Sequence, residues 1–166
     1  VIAGHAIMEA IRSTKPGLRE YQVQAPAWYV YQVNGAQRAG YSSITASGTN
    51  AWHGHYSRND DVLKPGDLVL MDWAPEYHYY TSDVTRMWPV NGKFTKSQRV
   101  LCGFILTYRN TLLELIRPGV TAEQIQLEAR KRMEEVWKET SFSKEIYREG
   151  ARKALLDDPK LADSLV

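Results

Sequence analysis

Asp72 and Asp83 lie eleven residues apart, each in an apolar, strand-like run: Leu68-Val69-Leu70-Met71-Asp72-Trp73 and Thr81-Ser82-Asp83-Val84-Thr85-Arg86-Met87-Trp88. The ten residues between them are rich in tyrosine and carry a Pro75-Glu76 turn signal. An antiparallel hairpin centred on that segment sets the two aspartates directly opposite one another on one face, with Cβ atoms roughly 4.5–5.5 Å apart. Carboxylates that close repel unless positive charge lies between them. Two divalent cations about 3.5–4 Å apart would supply it. The plainer alternative is Arg86, as the partner in an ordinary buried ion pair.

Alternation sharpens the expectation for Asp72. Leu68, Leu70 and Asp72 share one face and Val69, Met71 and Trp73 the other, so both faces are apolar. A carboxylate buried there must find a cation or take up a proton. Trp52-His53-Gly54-His55-Tyr56 adds two histidines in a glycine-containing loop, each able to bind metal or move a proton near neutral pH. His5 and His78 read as surface residues. Tyr77, Tyr79, Tyr80, Trp73 and Trp88 gather around the hairpin, as they would for sheet packing or for a pocket that takes an apolar or prolyl group.

The elements that must hold these residues follow from periodicity and punctuation. Residues 2–13 have helical apolar spacing, stopped by Lys15-Pro16-Gly17. A second helix is expected from near Leu18 towards Tyr29, weakened by Pro26. Residues 40–48 read as a strand closing in a glycine loop. Lys64-Pro65-Gly66-Asp67 turns the chain into the first aspartate strand, and the second ends at Pro89. Thr95 is the expected N-cap of a helix over 96–116 with Leu101, Ile105, Tyr108, Leu112, Leu115 and Ile116 as its stripe. Arg117-Pro118-Gly119 ends it. A further helix runs from Thr121 to about Glu139, another over about 143–156, and a polar tail follows. Mixed helices and strands in this order make the fold class α+β. Lys15-Pro16-Gly17 and Arg117-Pro118-Gly119 echo one another, each after one amphipathic helix and before another.

Composition narrows the function classes. The 166 residues are 43% hydrophobic, enough for one ordinary core. Net charge is +2, with 21 basic and 19 acidic residues spread along the chain, so neither nucleic acid nor a membrane surface is expected as a partner. A single cysteine, Cys102, excludes an intrachain disulfide and a thiolate cluster, and reads as a buried, inert thiol. No apolar run approaches the roughly 20 residues that span a bilayer, and no signal-peptide pattern is present. The chain begins at Val1 without a methionine and is expected to be a piece of something longer.

The run from Asp72 through Glu76-Tyr77, Tyr80, Ser82-Asp83-Val84-Thr85-Arg86, Pro89-Val90-Asn91-Gly92-Lys93-Phe94-Thr95 and Gln98-Arg99 resembles aminopeptidase P and prolidase, of the pita-bread metallopeptidase superfamily. Lys15-Pro16-Gly17 with Glu20, Tyr41 to Asn50, His55-Tyr56 and Arg117-Pro118-Gly119 resemble it too, so the likeness covers most of the chain in order. The one local departure is Ala74-Pro75, where the family usually has Gly-Ala. The resemblance implies two divalent metal ions (manganese, zinc or cobalt) held by two aspartates, a histidine and two glutamates. Asp72 and Asp83 fall on the aspartate positions, with Asp83 expected to bridge both ions. His55 falls on the active-site histidine that contacts substrate and the reacting centre, and Tyr41 near the substrate pocket.

The same resemblance implies a first α/β repeat over about 1–95 and linking and second-repeat helices over about 96–156. The other histidine and the glutamates are expected beyond Val166. The implied function is hydrolysis of the peptide bond before proline, by an Xaa-Pro aminopeptidase or dipeptidase acting on proline-containing peptides. A homodimer when complete and a cytoplasmic location are expected, and these 166 residues alone are expected to be inactive. A pita-bread domain used only to bind peptides or proteins is the alternative, disfavoured because such a module has no need for paired acids. A creatinase-type hydrolase without metal would be marked by replaced aspartates, and both are present.

Overall fold

The computed structural model describes residues 1–156. They divide into two compact units, Val1–Lys93 and a second that begins at Phe94. The polar tail expected after the last helix lies outside the described residues.

The first unit opens with two helices, α1 (Ile2–Ser13) and α2 (Glu20–Val33). Ala3, Ala6, Ile7 and Ala10 bury one face of α1 at helical spacing. On α2 the buried face is Glu20, Val23, Ala27 and Tyr31. Pro26 does not shorten α2, which runs past Tyr29 to Val33. An interior proline costs about 3 kcal/mol, and burial of Val23, Ala27 and the Tyr31 ring against the core offsets it.

The connection between the helices is pinned in place. Gly17 takes φ +87°, a conformation open to glycine, and its N–H donates to Leu63 O at 2.9 Å. The first N–H groups of α2, which have no partner within the helix, are satisfied by the returning chain: Glu20 N donates to Asp61 O (3.0 Å) and Tyr21 N to Asn59 O (2.8 Å).

Two three-stranded antiparallel sheets follow. One has β3 (Leu68–Trp73) between β2 (Ile44–Ser47) and β6 (Val84–Pro89). The other has β4 (Pro75–Tyr77) between β1 (Arg38–Ala39) and β5 (Tyr80–Thr81). The predicted strand over 40–48 is present only from Ile44, and gives way to a 3-10 turn at Gly48–Trp52.

Val69, Met71 and Trp73 on one face of β3 are fully buried against the helices, while Leu68, Leu70 and Asp72 on the other are only partly covered. The two faces are therefore not equivalent, as the sequence pattern had them. Trp73 packs edge-on to Trp28 at 5.3 Å and tilted against Tyr31 at 5.4 Å. Its indole N–H donates to Ile44 O and Thr45 Oγ1, so the floor behind Asp72 is closed and satisfied.

The hairpin register differs from expectation. Asp72 pairs with Thr85, not Asp83, and Trp73 with Val84. The turn is not at Pro75-Glu76, because Pro75–Tyr77 is itself a strand. It falls at His78-Tyr79, between the paired Tyr77 and Tyr80. Both turn residues have positive φ (50° and 66°), the backbone of a two-residue type I′ turn that suits the strand twist. Moving the turn centre by one residue shifts the pairing by two. Asp83 thus lies two residues before the partner of Asp72, just outside β6, and the Tyr41 hydroxyl reaches both acids from one side.

The second unit holds α3 (Lys96–Leu115), α4 (Ala122–Glu139) and α5 (Glu145–Leu156). Thr95 and Thr121 cap α3 and α4 in reciprocal pairs. Each hydroxyl accepts from the glutamine N–H three residues on, and that glutamine side chain accepts from the threonine N–H. Phe104, Met133, Ala151 and Leu155 form the core, with Phe104 edge-on to Phe142 at 5.6 Å. The buried side of α3 centres on Phe104 and Leu115, so Ile105 and Ile116 of the expected stripe are exposed. Cys102 is partly buried and its thiol pKa is pushed up by that burial, as an inert thiol requires. Gly119 repeats the left-handed geometry of Gly17, with φ +85°. Among the described residues no helix is long and apolar enough to cross a membrane.

Candidate metal centre

Asp72 occupies the middle strand, between Ile44 of β2 and Thr85 of β6. Its backbone is therefore fixed from both sides. Asp83 is exposed and stands just before β6, in the short gap after β5. It is neither within a strand nor buried, in contrast to the sequence reading.

Tyr41 brings the two acids together. Its hydroxyl lies 2.5 Å from Asp72 Oδ1 and 3.3 Å from Asp83 Oδ1. Burial pushes the phenol pKa well above its ordinary value, and the hydrogen bonds and charges of Asp72 and Asp83 push it further. The group therefore stays protonated and donates. Tyr41 reaches this place because the chain before it crosses tightly: Gly40 N donates to Ala74 O at 3.0 Å, and a Cβ on Gly40 would sit 2.6 Å from Thr81 Cγ2.

Arg86 does not supply the positive charge. It pairs across from Met71, its side chain is exposed, and its guanidinium donates to the Thr85 carbonyl. Among the described residues neither Asp72 nor Asp83 makes an ion pair. Two carboxylates that converge on one hydroxyl and lack a cation fit a divalent metal, for which carboxylate oxygens are suitable donors. The fit is partial, because no third histidine, cysteine, aspartate or glutamate joins them in metal-binding array among the described residues.

His55 lines the same cleft as both aspartates, with Tyr41, Ser42, Ile44 and Ser57. His53 borders Asp72 from a neighbouring hollow with Leu70 and Thr85, but does not share the cleft with Asp83. The residue pattern left the two histidines equivalent, and the geometry separates them. His55 is exposed and has φ +55°, a conformation uncommon outside glycine. His5 and His78 are exposed, as expected.

The loop that carries His55 is held from below by a residue the sequence reading passed over as chemistry. Glu20, at the start of α2, is fully buried. Its Oε1 accepts from Ser47 N (2.6 Å), Ser47 Oγ (2.9 Å) and Asn50 Nδ2 (3.1 Å), and its Oε2 accepts from Tyr56 OH (2.7 Å) and Asp61 N (3.1 Å). Burial, reinforced by the bond to Glu20, pushes the Tyr56 phenol up to about 12. The signal was available: Glu20 lies in register with the apolar Val23, Ala27 and Tyr31, on the one face where an acid should not be. Asn59, with φ +48°, adds a second anchor through its Oδ1, which accepts from Thr45 N at 2.8 Å.

The cleft thus gathers one acid from a central strand, a second from the chain just before β6, a tyrosine and a loop histidine. The chain belongs to metallopeptidase family M24, whose family model matches residues 1–152. It is 36% identical over 124 residues to the Xaa-Pro aminopeptidase of Escherichia coli K12, covering 75% of this chain and 28% of that protein. With the Xaa-Pro dipeptidase of Pyrococcus furiosus it shares 34% identity over 134 residues, 81% of this chain and 38% of the relative. Among solved structures, a zinc-substituted E. coli aminopeptidase P in complex with product superposes with a TM-score of 0.76 at 35% identity, covering 78% of this chain and 30% of that one. That likeness makes the α+β fold a pita-bread fold. The chain spans between a quarter and two-fifths of the length of these relatives.

Proposed function

We propose that the protein carrying this chain is a metal-dependent exopeptidase that hydrolyses the peptide bond before proline, as an Xaa-Pro aminopeptidase or dipeptidase. The observation that carries this reading is the convergence of Asp72 and Asp83 on the Tyr41 hydroxyl, with neither acid in an ion pair among the described residues. The names of the relatives, Xaa-Pro aminopeptidase and Xaa-Pro dipeptidase, supply the substrate class.

Asp72 and Asp83 would hold divalent metal, a pair of manganese, zinc or cobalt ions whose remaining ligands come from outside these residues. Bound there, the metal supplies Lewis-acid activation of water and polarisation of the scissile carbonyl. Tyr41, held protonated, spends its single O–H on the Asp72 carboxylate and so fixes that group at the cleft floor. His55, on the cleft wall, hydrogen-bonds the peptide and steadies charge that develops on its carbonyl oxygen. The aromatic hairpin offers apolar surface suited to a prolyl ring. Two of the expected ligands do not make a metal site of ordinary affinity, so the 166 residues alone should not turn over substrate.

The test uses the full-length protein. Elemental analysis should find bound divalent metal, peptides with proline second should be cleaved, and Asp83→Asn should lose both. A full-length protein that holds no metal and is indifferent to Asp83→Asn would sink the reading, and so would robust turnover by the 166-residue chain free of any partner.

A further inference from the structure

Glu20 is buried at the heart of the first unit and yet has no cationic partner among the described residues. A buried carboxylate without compensation is strongly unfavourable. Here five donors from four residues surround it, three at Oε1 and two at Oε2, enough to fill the roughly four lone-pair sites of a carboxylate, which an amide does not offer. The four residues are not scattered. Ser47 ends β2, Asn50 lies in the 3-10 turn, Tyr56 directly follows His55, and Asp61 is where the chain returns to α2. The Asn50 amide nitrogen stands within hydrogen-bond distance of the Tyr56 hydroxyl (3.0 Å) and Asp61 Oδ2 (2.9 Å) as well as Glu20 Oε1, so its two hydrogens are shared among three acceptors of the cluster.

His55 has the opposite circumstances. It is exposed, its backbone is left-handed, and residues in that region persist only where the surroundings over-determine them. The nearest strong restraint along the chain is the hydroxyl of Tyr56, at the end of a side chain that reaches into the Glu20 cluster. We infer that Glu20 is a positioning residue for His55: through Tyr56 and Asn50 its carboxylate fastens the loop between β2 and β3 and holds the imidazole at the wall of the aspartate cleft. This rests on the role proposed above for His55. The displacement it prevents is small, but an error of about 1 Å in a catalytic group is enough to lower turnover by about a hundredfold.

The experiment is a kinetic cycle in the metal-loaded, full-length enzyme, with hydrolysis of an Xaa-Pro peptide, metal content and thermal unfolding measured for each variant. Tyr56→Phe removes one hydroxyl and keeps the ring, so it should fold. Its kcat should fall by about ten- to a hundredfold while metal content and KM stay near the parent values. Glu20→Gln turns an N–H toward a facing donor and should lower kcat at least as much. His55→Ala alone should be impaired, and adding Tyr56→Phe to it should cost nothing more, because a positioning residue has no effect once the group it positions is gone.

If Tyr56→Phe keeps full kcat while His55→Ala loses it, Glu20 is only a structural anchor and the inference is overturned, with the role of His55 intact. Independent, multiplicative losses in the double variant overturn it as well. Full activity in His55→Ala would instead remove the proposed role of His55. Should Glu20→Gln fail to fold, the Tyr56→Phe pair still decides the matter.

Discussion

The Tyr41 hydroxyl stands 2.5 Å from Asp72 Oδ1, joining the bend before β2 to the end of β3. A protonated phenol against an acid is the arrangement expected where negative charge is concentrated and, among the described residues, is in no salt bridge. It fixes one carboxylate oxygen and leaves the rest of the group free to bind.

Tyr41→Phe keeps the ring and removes the donor. A hydrogen bond to a charged group is worth about 1.5–3 kcal/mol, and the metal-free chain should lose stability of that order in urea titration. In the full-length enzyme, turnover should fall. An unchanged urea midpoint would show that the bond contributes nothing in solution.

Asp83→Asn acts in the other direction on the metal-free chain. Removing one of two like charges relieves repulsion. Because Asp83 is exposed the gain is modest, a few tenths of a kcal/mol to about 1 kcal/mol. Thermal unfolding without metal should show a slightly higher midpoint, and a lower one would mean that the two acids are not in conflict.

Alkaline pH should unfold the chain through its tyrosines. The phenol of Tyr56 is raised by burial and by Glu20 to about 12 in the folded protein, against an ordinary value near 10. Between those values the unfolded state has released a proton that the folded state retains, so stability falls as pH rises. Below about pH 10 this contribution is fully present. Denaturation followed against pH, with phenolate absorbance, should therefore be flat through neutrality and decline from about pH 10 towards 12. Tyr56→Phe should make that decline shallower, and the phenols of Tyr31 and Tyr41, also raised by burial above their ordinary value, should account for what remains.

The His78-Tyr79 turn is built from residues poorly suited to it. Left-handed backbone costs about 1–2 kcal/mol for an ordinary residue, and Asn-Gly is the favoured pair in a type I′ turn. Replacing His78 by Asn and Tyr79 by Gly should stabilise the first unit by on the order of 1 kcal/mol, after losing the contact of the Arg38 guanidinium with the Tyr79 ring. A fall in the urea midpoint would show that Tyr79, despite its exposure, is packed for stability.

Where sequence reading succeeded and where it failed has physical reasons. Helix ends marked by Thr95, Thr121 and the two Pro-Gly turns were legible because capping is local chemistry. The meeting of the two aspartates was legible too, from their spacing across a hairpin. Their direct pairing was not, because it depends on which of two candidate turns forms. Pro75 advertises a turn while serving as a strand residue beside Arg38-Ala39, a pairing between distant segments that no local pattern encodes. Glu20 was visible as an acid on an apolar face, but its donors come from across the chain. Tyr41 was placed near the pocket only by resemblance, and nothing in its own neighbourhood foretells that its hydroxyl meets both acids.

The bonds from Glu20 to Ser47, Asn50, Tyr56 and Asp61 span 27 to 41 positions along the chain. No short segment can make them alone, and contacts of that separation reward the chain only after the entropy of closing the loop has been spent. The helices can form early from local signals, whereas the loop bearing His55 takes its shape only when α2 has met the far end of β2. The cleft is thus expected to close late in folding, and a chain arrested before that closure should have most of its helices while His55 stands free of the two aspartates.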